Sequence, residues 1–148
     1  MNSLKIVKES LNAFEKGDLE KLRNLLHEDY QLIGPAPKAV GKAEFLEMAR
    51  SMKTGFPDWD FGVTDLMENG DQITGRFHVT GKQSGPLDLS FMGLPIQPAT
   101  GIKIKQPEEP LKATIRDAKL YRMEVASVEG GGMDGLLRQI GVNIPVHA

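Results

Sequence analysis

Cysteine is absent from the 148-residue chain. That removes disulfides, thiolate nucleophiles and thiolate metal ligands together, and it suits a reducing compartment. A basic block is also missing. Eighteen Lys and Arg face twenty Asp and Glu, a net charge of −2 with both signs scattered. No run of cations exists to neutralise a row of phosphates, so nucleic acid is not an expected partner. No apolar run approaches the roughly 20 residues that span a bilayer, so no membrane partner is expected. The first residues, Met1-Asn2-Ser3-Leu4-Lys5, run into a helical pattern without a signal-peptide core. The expected location is cytoplasmic. No Gly-x-Ser-x-Gly occurs, and Gly130-Gly131-Gly132 lacks the preceding strand and following Lys-Ser/Thr of a phosphate loop, so it reads as a linker. The length and even composition predict one domain over residues 1–148.

What is present is two periodicities in succession. Leu4, Val7, Leu11 and Phe14 recur at spacings of three and four, which predicts a helix with one buried face. Gly17 suits a left-handed C-terminal stop and Asp18 a cap for a second helix carrying Leu19, Leu22, Leu25 and Leu26. Tyr30 to Ile33 is a strand closed by Gly34-Pro35-Ala36-Pro37, and a third helix runs from about Lys42 to Thr54. From there the period becomes two. Trp59, Phe61 and Val63 predict a half-buried strand; Asn69-Gly70 predicts a hairpin; Ile73, Phe77 and Val79 alternate with Thr74, Arg76, His78 and Thr80 in the next strand. Residues 84–100 read as a long loop holding Phe91-Met92, with a strand resuming at Ile102–Ile104. A last hairpin turns at Asp117-Ala118, and an amphipathic segment, Leu136 to Gly141, follows the glycines. Helices first and antiparallel strands afterwards give an α+β domain. A strongly curved sheet wrapped on helices leaves a cone-shaped cavity for a small ligand.

Several of these stretches match one known pattern in order. Phe14-x-x-Gly17-Asp18, Gly34-Pro35-Ala36-Pro37 with Gly41 before a helix, Phe56-Pro57-Asp58-Trp59-x-Phe61, Thr80-Gly81-Lys82-Gln83-Ser84-Gly85, Pro98-x-Thr100-Gly101, Asp117-Ala118-Lys119-Leu120 and Leu136-Leu137-Arg138-Gln139-Ile140-Gly141 span nearly the whole chain. Together they resemble the SnoaL-like polyketide cyclase and ester cyclase families of the nuclear-transport-factor-2-like superfamily. The resemblance implies a cone-like α+β barrel, commonly dimeric, with an internal pocket. It departs where the family has Gly and this chain has Ala118, and where the family has His and this chain has Gln83. The last strand reads Tyr121-Arg122-Met123-Glu124 and carries no Trp.

The chemistry implied is proton transfer beside a carbonyl, in aldol-type cyclisation or isomerisation of a small, largely apolar compound, with no cofactor. It needs a base with a pKa near neutrality and donors for an enolate. His78 is the leading candidate base, with Arg76 on the same strand face as an enolate stabiliser. Glu124, where the resemblance puts an acid, and Asp58 are the candidate carboxyls. Tyr30, Trp59, Asp60, Phe91 and Met123 are candidate ligand contacts. A surface ion pair of Glu124 with Arg122, turn chemistry at Asp58 and Asp60, and a solvent-facing His78 are the structural alternatives. His27, His78 and His147 lack ligand-like spacing with acids, so no metal site is expected. A non-catalytic binding module on the same fold is the alternative function, and an interaction domain working through the sheet face or the Phe91-Met92 loop a third. A homodimer through the open sheet face is expected, on the argument that this face is partly apolar.

Overall fold

The computed structural model describes residues 2–34 and 38–142; Pro35 to Pro37 and His147 lie outside them. Helix α1 (Ser3–Lys16) starts where the Asn2 side chain accepts the Lys5 N–H at 2.8 Å, and it stops at Gly17, whose φ is 72°. The Asp18 carboxylate accepts the Lys21 N–H and opens α2 (Leu19–Leu25). Strand β1 (Leu26–Ile33), the two-residue β2 (Val40–Gly41) and α3 (Lys42–Gly55) follow. Then come β3 (Thr64–Asn69), β4 (Gln72–Phe77), β5 (Thr80–Lys82), β6 (Lys103–Lys105), β7 (Glu109–Arg116), β8 (Lys119–Val125) and α4 (Gly132–Gln139).

Six strands form one sheet in the order β2-β1-β8-β7-β4-β3, and β5 and β6 pair separately. All pairings are antiparallel except that of β1 with β8. The α+β class is as expected, but the sheet is not closed into a barrel: β2 and β3 are its two edges. Enclosure comes instead from the helices on the concave face. Alternation along the strands selects the inward row: Ile73 and Phe77 on β4, Leu111, Ala113 and Ile115 on β7, Met123 and Val125 on β8. Thr114 lies opposite Arg122 and Ile115 opposite Leu120, so β8 carries one extra residue, Tyr121. That bulge lets Leu120 and Met123 both face inward.

Two expectations change. Trp59, Phe61 and Val63 do not form a strand. The Asp60 carboxylate accepts the Gly62 N–H at 2.7 Å, and Gly62 takes a φ of 55° against the His78 carbonyl, where a Cβ has no room. The bridge Asp60–Thr80 and the His78 N–H donated to the Phe61 carbonyl at 2.8 Å are what remains of the ladder. The strand expected over 73–80 breaks after Phe77, and its last residues cross to the second sheet. The open face is also more polar than expected. Gln72, Thr74 and Arg76 lie beside Thr114, Lys112 and Pro110, and Arg122 and Glu124 beside Thr114 and Lys112. Met67, 69% exposed, is the large apolar exception.

Ile73 is fully buried and borders no cavity, so Ile73→Ala should cost about 2–5 kcal/mol in denaturant unfolding. Leu11→Ala and Phe77→Ala, on a wall that already borders empty space, should fall near the low end of that ~2–5 kcal/mol range. The β7–β8 turn makes an opposite prediction. Ala118 sits at φ 58° beside Asp117 at φ 54°, a region costly for a residue with a Cβ. Ala118→Gly should therefore raise the unfolding free energy by about 1 kcal/mol and move the denaturant midpoint upward, with the denaturant slope unchanged.

Candidate active site

Between α1, α3, the start of α4 and the concave face lies a cavity of about 100 Å³. That is room for several waters or part of a small organic ligand, since one water needs only about 10–15 Å³ by this measure. Its wall is built mostly of Phe, Met, Leu and Val, and ring contacts link Tyr30, Phe45, Phe14, Trp59, Phe61 and Phe77 into one chain. Helix α1 holds part of this wall in place through Glu15, whose carboxylate accepts the Phe61 N–H at 2.8 Å.

Five polar side chains interrupt the wall: Ser10, Tyr30, Trp59, Gln106 and Glu109. Ser10 donates to the Ile6 carbonyl one helical turn back, at 2.7 Å. Tyr30 is 1% exposed, and neither its hydroxyl nor the indole N–H of Trp59 has a hydrogen-bond partner among the described residues. Buried donors are paired in most proteins, because an unpaired one costs about 1–3 kcal/mol. Both residues line the same apolar cavity, where a ligand with acceptor oxygens that reached these two atoms would pair them. Burial also pushes the Tyr30 phenol far above its ordinary value, so it stays a donor.

Glu109 is the one carboxyl in the wall. It is 5% exposed and takes the end of the inward row on β7, opposite Phe77 on β4. Its Oε2 accepts the Gly132 N–H at 2.9 Å, from the first turn of α4. Burial pushes its carboxyl above the ordinary 4.5, and the Gly132 hydrogen bond opposes that rise. An acid with raised proton affinity in an apolar cavity is what reversible proton transfer at carbon requires.

The candidates named from sequence divide into two groups. Tyr30, Trp59 and Met123 line the cavity with Glu109. The others do not. His78 donates from Nδ1 to the Gly62 carbonyl at 3.0 Å and lies 3.2 Å from Glu108 through Nε2, while Arg76 reaches Glu108 at 3.1 Å and Asp65 at 3.7 Å. These side chains are 42% and 51% exposed, on the far side of the strand from Phe77. The expectation that they point into the cone is corrected, because the apolar residues of that strand claim the inward face. Their donors hold Glu108 below the usual carboxylate range. Glu124 lies opposite Lys112 on the outer face. Asp58 accepts the Lys82 N–H at 2.8 Å, and Asp60 closes the turn at Gly62. Phe91 stands in a single 3₁₀ turn, Ser90–Met92, packed on the core outside the cavity. Among the described residues no three His, Asp or Glu side chains gather as a metal ion would need, and no helix is long and apolar enough to cross a membrane.

Glu109 was missed from sequence because Pro107-Glu108-Glu109-Pro110 looks like loop. A signal existed: Glu109, Leu111, Ala113 and Ile115 alternate, which places an acid in an apolar row.

A model of the SnoaL-like domain matches residues 7–124. The chain belongs to the SnoaL-like domain family. No curated protein matches it. Among solved structures, this SnoaL-like domain is similar to TsrD from Streptomyces laurentii, at 24% identity and a TM-score of 0.67 over 93% of each chain. It is also similar to IdmH from Streptomyces antibioticus, a proposed polyketide cyclase, at 24% identity and 0.68 over 96% of this chain and 100% of that one. AclR from Streptomyces galilaeus, a proposed hydroxylase, is 21% identical with a TM-score of 0.68, covering 97% and 88%. At these identities the likeness establishes the fold.

Burial of Glu109 has a consequence for stability. An acid that holds its proton more tightly when folded gives the folded chain the larger number of bound protons from about pH 4.5 upward. Stability therefore falls as pH rises through that window. Glu109→Gln should raise the thermal midpoint at pH 7–8 by roughly 2–6 °C and flatten its pH dependence. The residual slope should belong to Glu15, which burial raises in the same way.

Proposed function

We propose that this SnoaL-like domain is an acid–base enzyme acting on a small, largely apolar carbonyl compound, with Glu109 as the proton carrier. The observation that carries this reading is a carboxyl of raised proton affinity in an apolar cavity that also holds two unpaired donors, Tyr30 and Trp59. The Glu109 carboxylate removes a proton from carbon next to a carbonyl. The C–H electron pair moves into the new C=C bond and the carbonyl π pair onto oxygen, giving an enolate. Charge on that oxygen is met by the Tyr30 O–H and the Trp59 N–H, donors already in place before the reaction. In a cyclisation the enolate carbon attacks a second carbonyl of the same molecule, and the proton on Glu109 passes to the resulting alkoxide. In an isomerisation it returns to a different carbon. Either way Glu109 ends as it began, and the reaction consumes no other reagent. IdmH, similar in fold and itself a proposed polyketide cyclase, supports the cyclising form.

Because proton abstraction precedes both outcomes, it can be measured without the natural substrate. Aromatic 1,3-dicarbonyl compounds in deuterium oxide should exchange the hydrogens between their carbonyls when the protein is added, as followed by proton NMR. Glu109→Gln should slow that exchange by roughly 10²–10⁴-fold and Tyr30→Phe by about 10²-fold, while His78→Ala leaves it unchanged. Exchange that survives Glu109→Gln would remove Glu109 from the role. Binding without exchange would assign the cavity to the non-catalytic binding module instead.

A further inference from the structure

The Gly132 N–H that meets Glu109 belongs to a chain of hydrogen bonds leading away from the cavity. The Gly132 carbonyl accepts from Gln106 Nε2 at 2.8 Å, Gln106 Oε1 accepts from Gln139 Nε2 at 2.8 Å, and Gln139 Oε1 accepts the Lys105 N–H at 2.7 Å. Both ends of this chain are main-chain groups whose roles are fixed: an amide N–H can only donate and a carbonyl can only accept. The polarity of both glutamine side chains follows without ambiguity. Gln106 is 7% exposed, and each polar end of its amide is used. A buried, fully paired network of this kind has one arrangement and resists distortion.

Gly132 is the residue where that rigidity meets the acid. It carries φ 66°, with its carbonyl held by Gln106 and its N–H on Glu109 Oε2. Its neighbour Gly131 lies so near the same oxygen that a Cβ there would stand 2.9 Å from it. The glycine run that reads as a linker is thus a seat for the carboxylate.

We propose that Gln106 and Gln139 are positioning residues: through the Gly132 carbonyl they hold the Gly132 N–H on the Glu109 carboxylate, and so set how tightly Glu109 keeps its proton. The proposal rests on the reading of Glu109 as proton carrier, but it concerns the carboxyl itself and is testable without turnover. Burial raises the proton affinity of Glu109, and the Gly132 hydrogen bond is the interaction that pulls it back. Without that bond the carboxyl would hold its proton into a higher pH range and be a base for a smaller part of the time. The other groups around Glu109 are Tyr30 across the apolar cavity, and Glu129, Asp134 and Arg138, which line a second cavity that Glu109 also borders. None of these is altered by a change at Gln106 or Gln139.

The experiment is a carbon-13 NMR titration of the full chain, labelled at the glutamate carboxyl carbon, with the Glu109 signal assigned by its loss in Glu109→Gln. The variants are Gln106→Met and Gln139→Met, both neutral and close in length. Gln139 lies outside the cavity wall, so a shift in its variant cannot come from a changed lining. In both, the Glu109 midpoint should rise, with about one to two pH units as the ceiling, since that is the worth of the whole hydrogen bond from Gly132 to the charged carboxylate. The deuterium-exchange profile should move its acid limb upward by the same amount. A role confined to anchoring α4 predicts lower thermal stability in both variants with the Glu109 midpoint unmoved, and that result would overturn the proposal. A shift in Gln106→Met alone would also overturn it, because the effect would then be local to the wall. If Gln106→Met fails to fold, Gln139→Met decides the question alone. Failure of the underlying reading looks different: the parent protein catalyses no exchange, whatever the midpoints do.

Discussion

Strand β7 carries Glu109, Leu111, Ala113 and Ile115 on one face, and the pleat gives that row a single direction. The three apolar members can leave water only against the helices, so the acid at the end of the row is carried out of water with them. Beside it in the sheet is Phe77 on β4, and the next residue of the row, Leu111, lies opposite Val125, the last residue of β8. Desolvation of this carboxyl is the constraint on which the rest of the site depends. It makes the acid a usable proton carrier, and it calls for one compensating donor, which the start of α4 supplies through Gly132.

Three features of the cavity work against stability and in favour of chemistry. Glu109 is held where ionisation is unfavourable, and the Tyr30 hydroxyl and Trp59 N–H are buried without partners. A chain selected for stability alone would have an apolar residue at position 109 and a partner or a Phe at position 30. The surrounding wall offsets these losses with a large apolar and aromatic surface, including edge-on contacts of Trp59 with Phe56 and Phe61. The surface ion pair of Arg50 with Glu47 is exposed and adds little.

Much of the fold was legible because its signals are local. The Asp18 cap, the left-handed Gly17, the Asn69-Gly70 hairpin and the turn at Asp117-Ala118 are each set by a few neighbouring residues. Trp59, Phe61 and Val63 misled because their side chains do alternate toward the core. The backbone, turned at Gly62 by the Asp60 carboxylate, does not stay in a ladder. His78 misled for a related reason. A titratable residue in the middle of a strand is conspicuous in sequence, yet which face of that strand is inward depends on where Ile73 and Phe77 pack.

The amino-acid sequence by itself determined the helices, most of the strands, the α+β class and the family, because caps, periodicity and turn residues act over a few positions. Tyr30, Trp59 and Met123 were also recognisable as wall, since bulky side chains in such elements have few places to go. Only the tertiary structure decided which acid is buried. Glu108 and Glu109 are adjacent and chemically alike, and they differ because strand alternation sends one to Arg76 and His78 in solvent and the other into the cavity. Nor was Gly132 readable as the donor, because its meeting with Glu109 joins residues 23 positions apart. No local pattern encodes that approach; it exists once α4 folds back across the end of the sheet.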